Sequence, residues 1–218
     1  MPRDSNIELT RRYGKDRGSQ YGEVTSNYDF YPTPVMVCKK VLNRLKEDGY
    51  HPPYNLDRKP TFLDPGSGNG SWGVAVRDIW RNSYLTGIEL RKVLDVPINV
   101  YDEWITGDFL THEFKDNKFD MIVGNPPFKL AEEFIRRSYS LLVPDAGTLV
   151  FLLRLSFLES QKRYHGLFKE LPPTGVYVSS KRIKFFPGPM TTTVAHAFFV
   201  WRTWGYTDTR GTTLKWIC

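Results

Sequence analysis

An unbroken apolar run in the second half of the chain, GTLVFLLRL at residues 147–155, most constrains the fold. A strand with one solvated face alternates apolar and polar residues, whereas an unbroken run of this length is typical of a strand covered on both faces. Further strand-like segments precede and follow it: TFLD, SYLTGIEL, EWIT, FDMIVG, GVYVSS and VAHAFFVW. Amphipathic, helix-like segments alternate with most of them, as at 129–143. The sequence therefore predicts an α/β fold in which helices flank a parallel sheet.

Composition divides the chain into three parts. Residues 1–30 are polar and charge-balanced, which predicts a flexible arm; 31–203 hold the predicted strands and helices and form one domain; 204–218 form a Thr-rich tail. The domain is expected to open with a helix that has Thr33 as its N-cap and Pro34 in the first helical position. Gly49 is expected to end that helix.

Several functional classes are excluded by what the sequence lacks. No apolar run approaches the roughly 20 residues that span a bilayer, and the N-terminus has no apolar segment of the kind a secretion signal needs. The two cysteines, Cys38 and Cys218, are too few for a disulfide framework and have no C-x-x-C spacing for zinc. We therefore expect a cytoplasmic protein, monomer or homodimer, with neither a membrane partner nor a metal site.

Charge is distributed unevenly along the chain. Residues 1–150 carry 20 Lys and Arg against 21 Asp and Glu, whereas 151–218 carry 10 against 3, so the net charge of +6 comes from the C-terminal third. A local positive excess favours a polyanionic partner. Because 15% of the residues are aromatic and rings stack on bases, nucleic acid is the expected partner.

The segment Asp64-Pro65-Gly66-Ser67-Gly68-Asn69-Gly70 reads as a glycine-rich turn between a strand and a helix. Glycines let the backbone approach a ligand closely, and Glu89, at the end of the next strand, is placed to accept hydrogen bonds from ribose hydroxyls. An acid at Asp64 suits a ligand with an ammonium group better than a pyrophosphate. Asp108 and Phe109 follow the third strand and could contact an adenine. The set predicts S-adenosylmethionine as the cofactor.

Asn125-Pro126-Pro127-Phe128 follows the strand Met121–Gly124. Neither proline has an N–H to continue a sheet, and Pro126 holds Asn125 extended. The result is a stiff corner that presents one amide, free carbonyls and one ring.

This combination resembles the amino-methyltransferases that act on adenine in DNA, whose hallmark is a D/N/S-P-P-Y/F/W corner after strand four. Tyr31-Pro32-Thr33-Pro34 looks like the family's Y-x-T-P element, and the order of the motifs is that of the gamma class. The resemblance implies a Rossmann-like methyltransferase fold, with a mostly parallel seven-stranded sheet containing one antiparallel strand. Cofactor contacts are implied for Tyr31, Thr33, Pro34, Asp64, Pro65, Gly66, Ser67, Gly68, Gly70, Glu89, Asp108 and Phe109.

The resemblance also implies the chemistry. The side-chain oxygen of Asn125 and the carbonyl of Pro126 would accept the two amino hydrogens of a flipped adenine, and Phe128 would stack on its face. A downstream loop, KRIKFFPGPM, would supply a second ring, Phe185 or Phe186. Basic contacts to duplex DNA would come from Lys181, Arg182, Lys184 and Arg154. His196, within a strand, is expected to be a packed core residue.

Alternatives remain open at this stage. The same corner occurs in methyltransferases that act on adenine in RNA, on glutamine in release factors, and on cytosine N4 in DNA. A functional alternative of another class is a nucleic-acid-binding protein that keeps the fold but has no enzymatic activity. Members of this class usually carry a long target-recognition domain after the last strands, so the chain resembles the compact, phage-type enzymes.

Overall fold

The computed structural model describes residues 31–52, 57–91, 98–115, 118–186, 192–203 and 211–218. These residues contain a single sheet of eight strands in the order β3-β2-β1-β4-β5-β7-β6-β8. The strands are β1 Thr61–Pro65, β2 Tyr84–Glu89, β3 Glu103–Thr106, β4 Met121–Gly124, β5 Thr148–Arg154, β6 Gly175–Ser179, β7 His196–Arg202 and β8 Thr213–Ile217.

The sheet is parallel from β3 through β5. Strand β7 runs antiparallel to both of its neighbours, β5 and β6. The predicted α/β sheet with one antiparallel strand is thus confirmed, but the described residues form eight strands where seven were expected. The additional strand, β8, pairs in parallel with β6 and lies in the segment predicted as a tail. Its sequence, TLKWI, leaves Leu214 and Trp216 more than half exposed, so no local burial pattern marked it as part of the sheet.

Helices cover both faces of the sheet. They are α1 Val35–Glu47, α2 Ser71–Ile79, α3 Ala131–Ser140, α4 Gln161–His165 and α5 Leu167–Glu170, with short 3-10 turns at Ile98–Val100, Phe128–Leu130 and Leu155–Leu158. The strand β5 that was predicted to be covered on both sides is buried on both. Leu149, Phe151 and Leu153 pack with α3 on one face, while Val150 and Leu152 pack with α1 and α2 on the other.

The start of α1 differs from the prediction. Pro34, in an extended conformation (φ −58°, ψ 133°), occupies the N-cap position, and no side chain caps the helix. The buried Thr33 hydroxyl has no hydrogen-bond partner among the described residues, so Thr33 is not the cap. The end agrees with the prediction, because Gly49 adopts φ 85° and the N–H of Tyr50 returns to the carbonyl of Leu45.

Within the described part of the chain, each helix is too short or too polar to cross a bilayer.

Candidate active site

The carboxyl ends of β1, β2 and β4 open onto one cleft, at the place where the strand order of the sheet reverses. Ligands of open α/β sheets bind at such switch points. The cleft, which we call the glycine cleft, encloses about 740 Å³ including the space open to solvent. Its walls include Tyr31, Thr33, Gly66, Ser67, Gly68, Trp72, Glu89, Arg91, Phe109, Asn125, Pro127 and Phe134.

The glycine turn forms one wall and is fixed to strand β2. Gly66, Gly68 and Gly70 have φ values of 71°, 56° and 80°, in the left-handed region that other residues avoid. The N–H groups of Gly66 and Ser67 donate to the carbonyl of Ile88 at 2.8 and 3.1 Å, and the Ser67 hydroxyl donates to the carbonyl of Asp64. These bonds hold the turn in one conformation, with bare backbone facing the cleft.

Glu89 stands at the cleft wall with its carboxylate already engaged. Oε2 accepts the N–H of Gly68 at 2.8 Å, and Oε1 accepts from Nε and from the backbone N–H of Arg91. A carboxylate offers about four lone-pair sites, so Glu89 keeps the capacity to accept a ligand hydroxyl. Sequence reasoning missed Arg91; its position two residues after a strand-end acid was the available signal.

Asp64 does not reach the cleft. Its side chain is completely buried beneath the turn, Oδ2 accepts the hydroxyl of Tyr101 at 2.7 Å, and Oδ1 has no partner among the described residues. Burial raises the pKa of Asp64 to about 7, the Tyr101 hydrogen bond opposes the rise, and the charge of Glu89 adds to it. The expectation that Asp64 contacts a ligand ammonium directly does not fit this placement, because strand β1 turns the carboxylate inward.

Tyr101 is a second residue that sequence reasoning missed. A Cβ atom added to Gly73 would lie 2.5 Å from its ring, and one added to Gly87 would lie 2.7 Å from it. Gly73, three residues after the glycine turn, therefore makes room for the ring that donates to Asp64. Tyr101 follows a short 3-10 turn rather than a recognisable motif, so no local signal indicated it.

Four other predicted cofactor residues do not line the glycine cleft. Pro34 begins α1, Pro65 ends β1 and Gly70 precedes α2. Asp108 accepts the N–H of Leu110 through Oδ1 at 2.8 Å, which shapes the loop rather than the cleft wall. Its neighbour Phe109 does line the cleft.

The Asn125 corner forms the opposite wall. The side-chain nitrogen of Asn125 donates to the backbone carbonyl of Tyr31 at 2.7 Å, whereas its side-chain oxygen is buried with no partner among the described residues. Gly124 allows the close approach that precedes the corner, since a Cβ there would lie 3.3 Å from the carbonyl of Pro65. One end of the Asn125 amide is thus anchored and the other carries an unused acceptor.

Beyond Tyr31 lies a second cavity of about 720 Å³, including open space, which we call the ring cleft. Four rings wall it: Tyr31, Phe128, Phe185 and His196. The ring centroids of Tyr31 and Phe128 are 5.9 Å apart at an interplanar angle of 27°, and those of Phe185 and His196 are 5.1 Å apart at 73°. Of the two candidate platforms in the downstream loop, Phe185 lines this cleft and Phe186 packs beside it.

His196 has the burial predicted for a core residue, with 4% of its surface exposed, yet it also forms part of the cleft wall. Burial, together with the charges of Arg154 and Arg182, lowers its pKa to about 4, while the backbone of Val194 acts in the opposite direction. The imidazole is therefore neutral at neutral pH.

Arg154 stands at the rim of the ring cleft, and three further basic side chains lie in the segment that leads to Phe185. The guanidinium of Arg154 lies 4.8 Å from the centroid of the Phe128 ring, a cation–π distance. Arg154, Lys181, Arg182 and Lys184 are all exposed. The rim therefore presents positive charge to solvent beside a cavity lined by rings.

Comparison with known proteins places this geometry in context. No protein-family model matches the sequence. The chain is 28% identical over 201 residues to the Type II methyltransferase M.CvrRI of Paramecium bursaria Chlorella virus XZ-6E, covering 83% of this chain and 48% of the viral protein. It is 32% identical over 153 residues to the release factor glutamine methyltransferase of Fusobacterium nucleatum, covering 63% and 40% of the two proteins. The chain thus spans about half the length, or less, of these relatives.

Solved structures agree on the fold. A class I S-adenosylmethionine-dependent methyltransferase from Listeria monocytogenes superposes with a TM-score of 0.68 at 13% identity, covering 98% of this chain and 71% of the other. A type I restriction-modification methyltransferase subunit from Streptococcus thermophilus gives 0.63 at 15% identity, covering 82% and 46%. The class I methyltransferase fold and the resemblance to DNA methyltransferases are confirmed, and S-adenosylmethionine is the cofactor expected from this fold.

Proposed function

We propose that this protein is an S-adenosylmethionine-dependent methyltransferase that modifies the N6 amino group of adenine in DNA. The observation that carries the proposal is the Asn125 amide, anchored through its nitrogen to Tyr31 and left with a buried oxygen that has no partner within the described part of the chain. Buried polar atoms without partners are uncommon and call for an explanation. An amino group that donates to this oxygen supplies one.

The glycine cleft fits the proposed cofactor. The three left-handed glycines expose backbone at one wall, Glu89 offers carboxylate oxygens at another, and Phe109 supplies a flat apolar surface. Bound there, S-adenosylmethionine supplies an electrophilic methyl group. The residues of this wall would hold it opposite the Asn125 corner.

The corner would activate the acceptor by hydrogen bonding. The lone pair of an aromatic amine is delocalised into its ring, which makes the nitrogen a weak nucleophile. If Oδ1 of Asn125 and the carbonyl of Pro126 each accept one amino hydrogen, the lone pair is localised and points along a fixed direction. Two consecutive prolines and the Tyr31 anchor fix these acceptors before the substrate arrives, so the stabilisation is preorganised.

The ring cleft would hold the base itself. A base extruded from a duplex loses its stacking neighbours, and aromatic side chains replace them. Phe128 directly follows the corner, and the ring centroid of His196 lies within 6 Å of those of both Phe128 and Phe185. The exposed Arg154 and the lysines of the downstream loop are placed for phosphate contacts outside the cleft.

Glutamine is the second candidate acceptor, favoured by the 32% identity to the release factor enzyme. A glutamine amide also donates two hydrogens, so the corner alone does not discriminate between the two. The four-ring wall is better matched to a flat heteroaromatic ring than to a flexible aliphatic chain. Adenine in RNA and an inactive nucleic-acid-binding protein are further outcomes that the assay separates.

The test is transfer of a labelled methyl group from S-adenosylmethionine to duplex DNA, RNA and protein substrates in parallel. We expect label on N6 of adenine in duplex DNA. Asn125→Ala should lower the rate about 100-fold or more, the typical effect of losing one preorganised polar contact. Asn43→Ala makes the same chemical change on the exposed face of α1 and should leave the rate unaltered. Label on release factor or RNA alone would redirect the proposal, and no label on any substrate would refute it.

A further inference from the structure

His196 is a buried polar group that the proposed transfer reaction does not use. It begins β7 and is the antiparallel partner of Arg154, the last residue of β5. The residue is 96% buried, its Nδ1 atom has no hydrogen-bond partner among the described residues, and it forms part of the ring cleft wall. A buried nitrogen without a partner costs about 1–3 kcal/mol, so packing alone does not account for a histidine here.

Aromatic rings pack against His196, and the charges of Arg154 and Arg182 act on it. Its centroid lies 5.7 Å from that of Phe128 and 5.1 Å from that of Phe185. A phenylalanine at position 196 would pack in the same environment without the unmet hydrogen bond. The neutral state of the imidazole leaves one ring nitrogen as a donor and the other as an acceptor.

The chemistry of the acceptor indicates what this nitrogen could contact. Once the amino hydrogens of adenine are taken by the Asn125 corner, the remaining ring edges present only acceptors, at N1, N3 and N7. A glutamine amide would also present an acceptor, its carbonyl oxygen, but no flat ring. A donor in the wall of the ring cleft therefore suits adenine, and the aromatic lining around that donor favours a base over a protein side chain.

We propose that His196 reads the acceptor base, donating a hydrogen bond from Nδ1 to one ring nitrogen of the flipped adenine. This inference rests on the proposed function and adds to it a specificity-determining contact. It divides the recognition of adenine between two elements: the corner after β4 holds the amino group, and the start of β7 holds the ring edge.

The experiment pairs base analogues with variants of His196. The modified adenine is first located by sequencing DNA that the wild-type protein has methylated. Duplexes are then built with adenine, 1-deazaadenine, 3-deazaadenine or 7-deazaadenine at that position, and kcat/KM is measured for the wild type, His196→Leu and His196→Asn. Leucine removes both ring nitrogens, whereas asparagine keeps a donor near the position of Nδ1.

For one of the three analogues, replacing adenine should lower the kcat/KM of the wild type about 3- to 10-fold more than it lowers the kcat/KM of His196→Leu. This difference corresponds to one neutral hydrogen bond. His196→Asn should recover part of that discrimination. This comparison cancels any direct effect of the analogue on the nucleophilicity of N6. A merely structural histidine would lower all rates equally.

The inference would be overturned if each of the three analogues lowered kcat/KM by the same factor in the wild type and in His196→Leu. Should the leucine variant fail to bind S-adenosylhomocysteine, His196→Phe, which keeps the ring packing, takes its place. Failure of the proposed function gives a different result, because the wild type would then transfer no methyl group to unmodified DNA.

Discussion

The side-chain nitrogen of Asn125 donates to the backbone carbonyl of Tyr31 at 2.7 Å, across 94 positions of sequence. This bond orients the amide, because only the nitrogen can donate, and it leaves the oxygen at the cleft wall buried and without a partner among the described residues. A buried acceptor with its orientation fixed and no partner in the described part of the protein is the arrangement expected where an acceptor is held in place for a substrate.

Asn125→Ala should change stability far less than activity. The variant loses the bond to Tyr31, worth about 1 kcal/mol, but also removes the buried oxygen that has no partner, and the two effects oppose each other. We expect the free energy of unfolding to change by less than about 1 kcal/mol, measured by urea denaturation. A loss of several kcal/mol would mean that Asn125 is mainly structural.

The buried Asp64 should make stability depend on pH. Its folded pKa, about 7, lies above the usual value of 3.8, so the folded state holds a proton that the unfolded state releases. The free energy of unfolding therefore falls as the pH rises from about 4 to about 7, and it levels off above about pH 7. Relative to Asp64→Asn, the wild type should lose about 1 kcal/mol per pH unit in that window, measured by urea denaturation. A constant difference between the two proteins from pH 5 to pH 8 would contradict the placement of Asp64.

Gly73→Ala should be destabilising through a single contact. The added Cβ would lie 2.5 Å from the Tyr101 ring, and overpacking of this kind costs about 1–3 kcal/mol. Combining Gly73→Ala with Tyr101→Leu should recover part of that loss, measured as a nonadditive change in the free energy of unfolding. Gly211→Ala is the matched control, because its Cβ would meet nothing within 4 Å. Strict additivity of the Gly73 and Tyr101 changes would rule out the clash.

The basic rim should contribute to DNA binding through phosphates. Lys181→Ala and Lys184→Ala should each lower the slope of log K against log salt concentration by about 1, with similar effects on all sequences. Lys46→Ala, on the exposed surface near the far end of α1, serves as the control and should leave the slope unchanged. Fluorescence anisotropy with labelled duplexes between 50 and 200 mM salt, about the range over which such contacts weaken, measures this. Slopes that match the wild type would place the docking surface elsewhere.

Much of the fold could be predicted because its signals are local. The apolar run of β5 predicted a strand that is buried on both faces, and Gly49 predicted the end of α1. Strand β8 could not be predicted in this way, since a short edge strand with Leu214 and Trp216 exposed has no burial pattern of its own. The N-cap at Thr33 was wrong because Pro34 stays extended and the helix begins one residue later.

The candidate site, like the fold, could be predicted only in part from the sequence. The glycine turn, Glu89 and the Asn125 corner were visible as motifs, and the structure brings them to the walls of one cleft. The inward turn of Asp64 was not visible, because it depends on a hydroxyl from Tyr101, 37 residues away. The position of His196 in the ring cleft was not visible in the sequence either. It depends on the pairing of β7 with β5 and on the loop after β6, which brings Phe185 beside His196.

The sequence by itself determined the order of the strands from β1 to β7, the glycine turn and the proline corner, since each follows from the conformational preferences of neighbouring residues. The tertiary structure alone decided which polar atoms face a cleft and which are covered, because that depends on contacts between residues far apart in the chain. A buried carboxylate finds its partner, and a buried amide oxygen or imidazole nitrogen is left without one, only when separate strands and loops pack together.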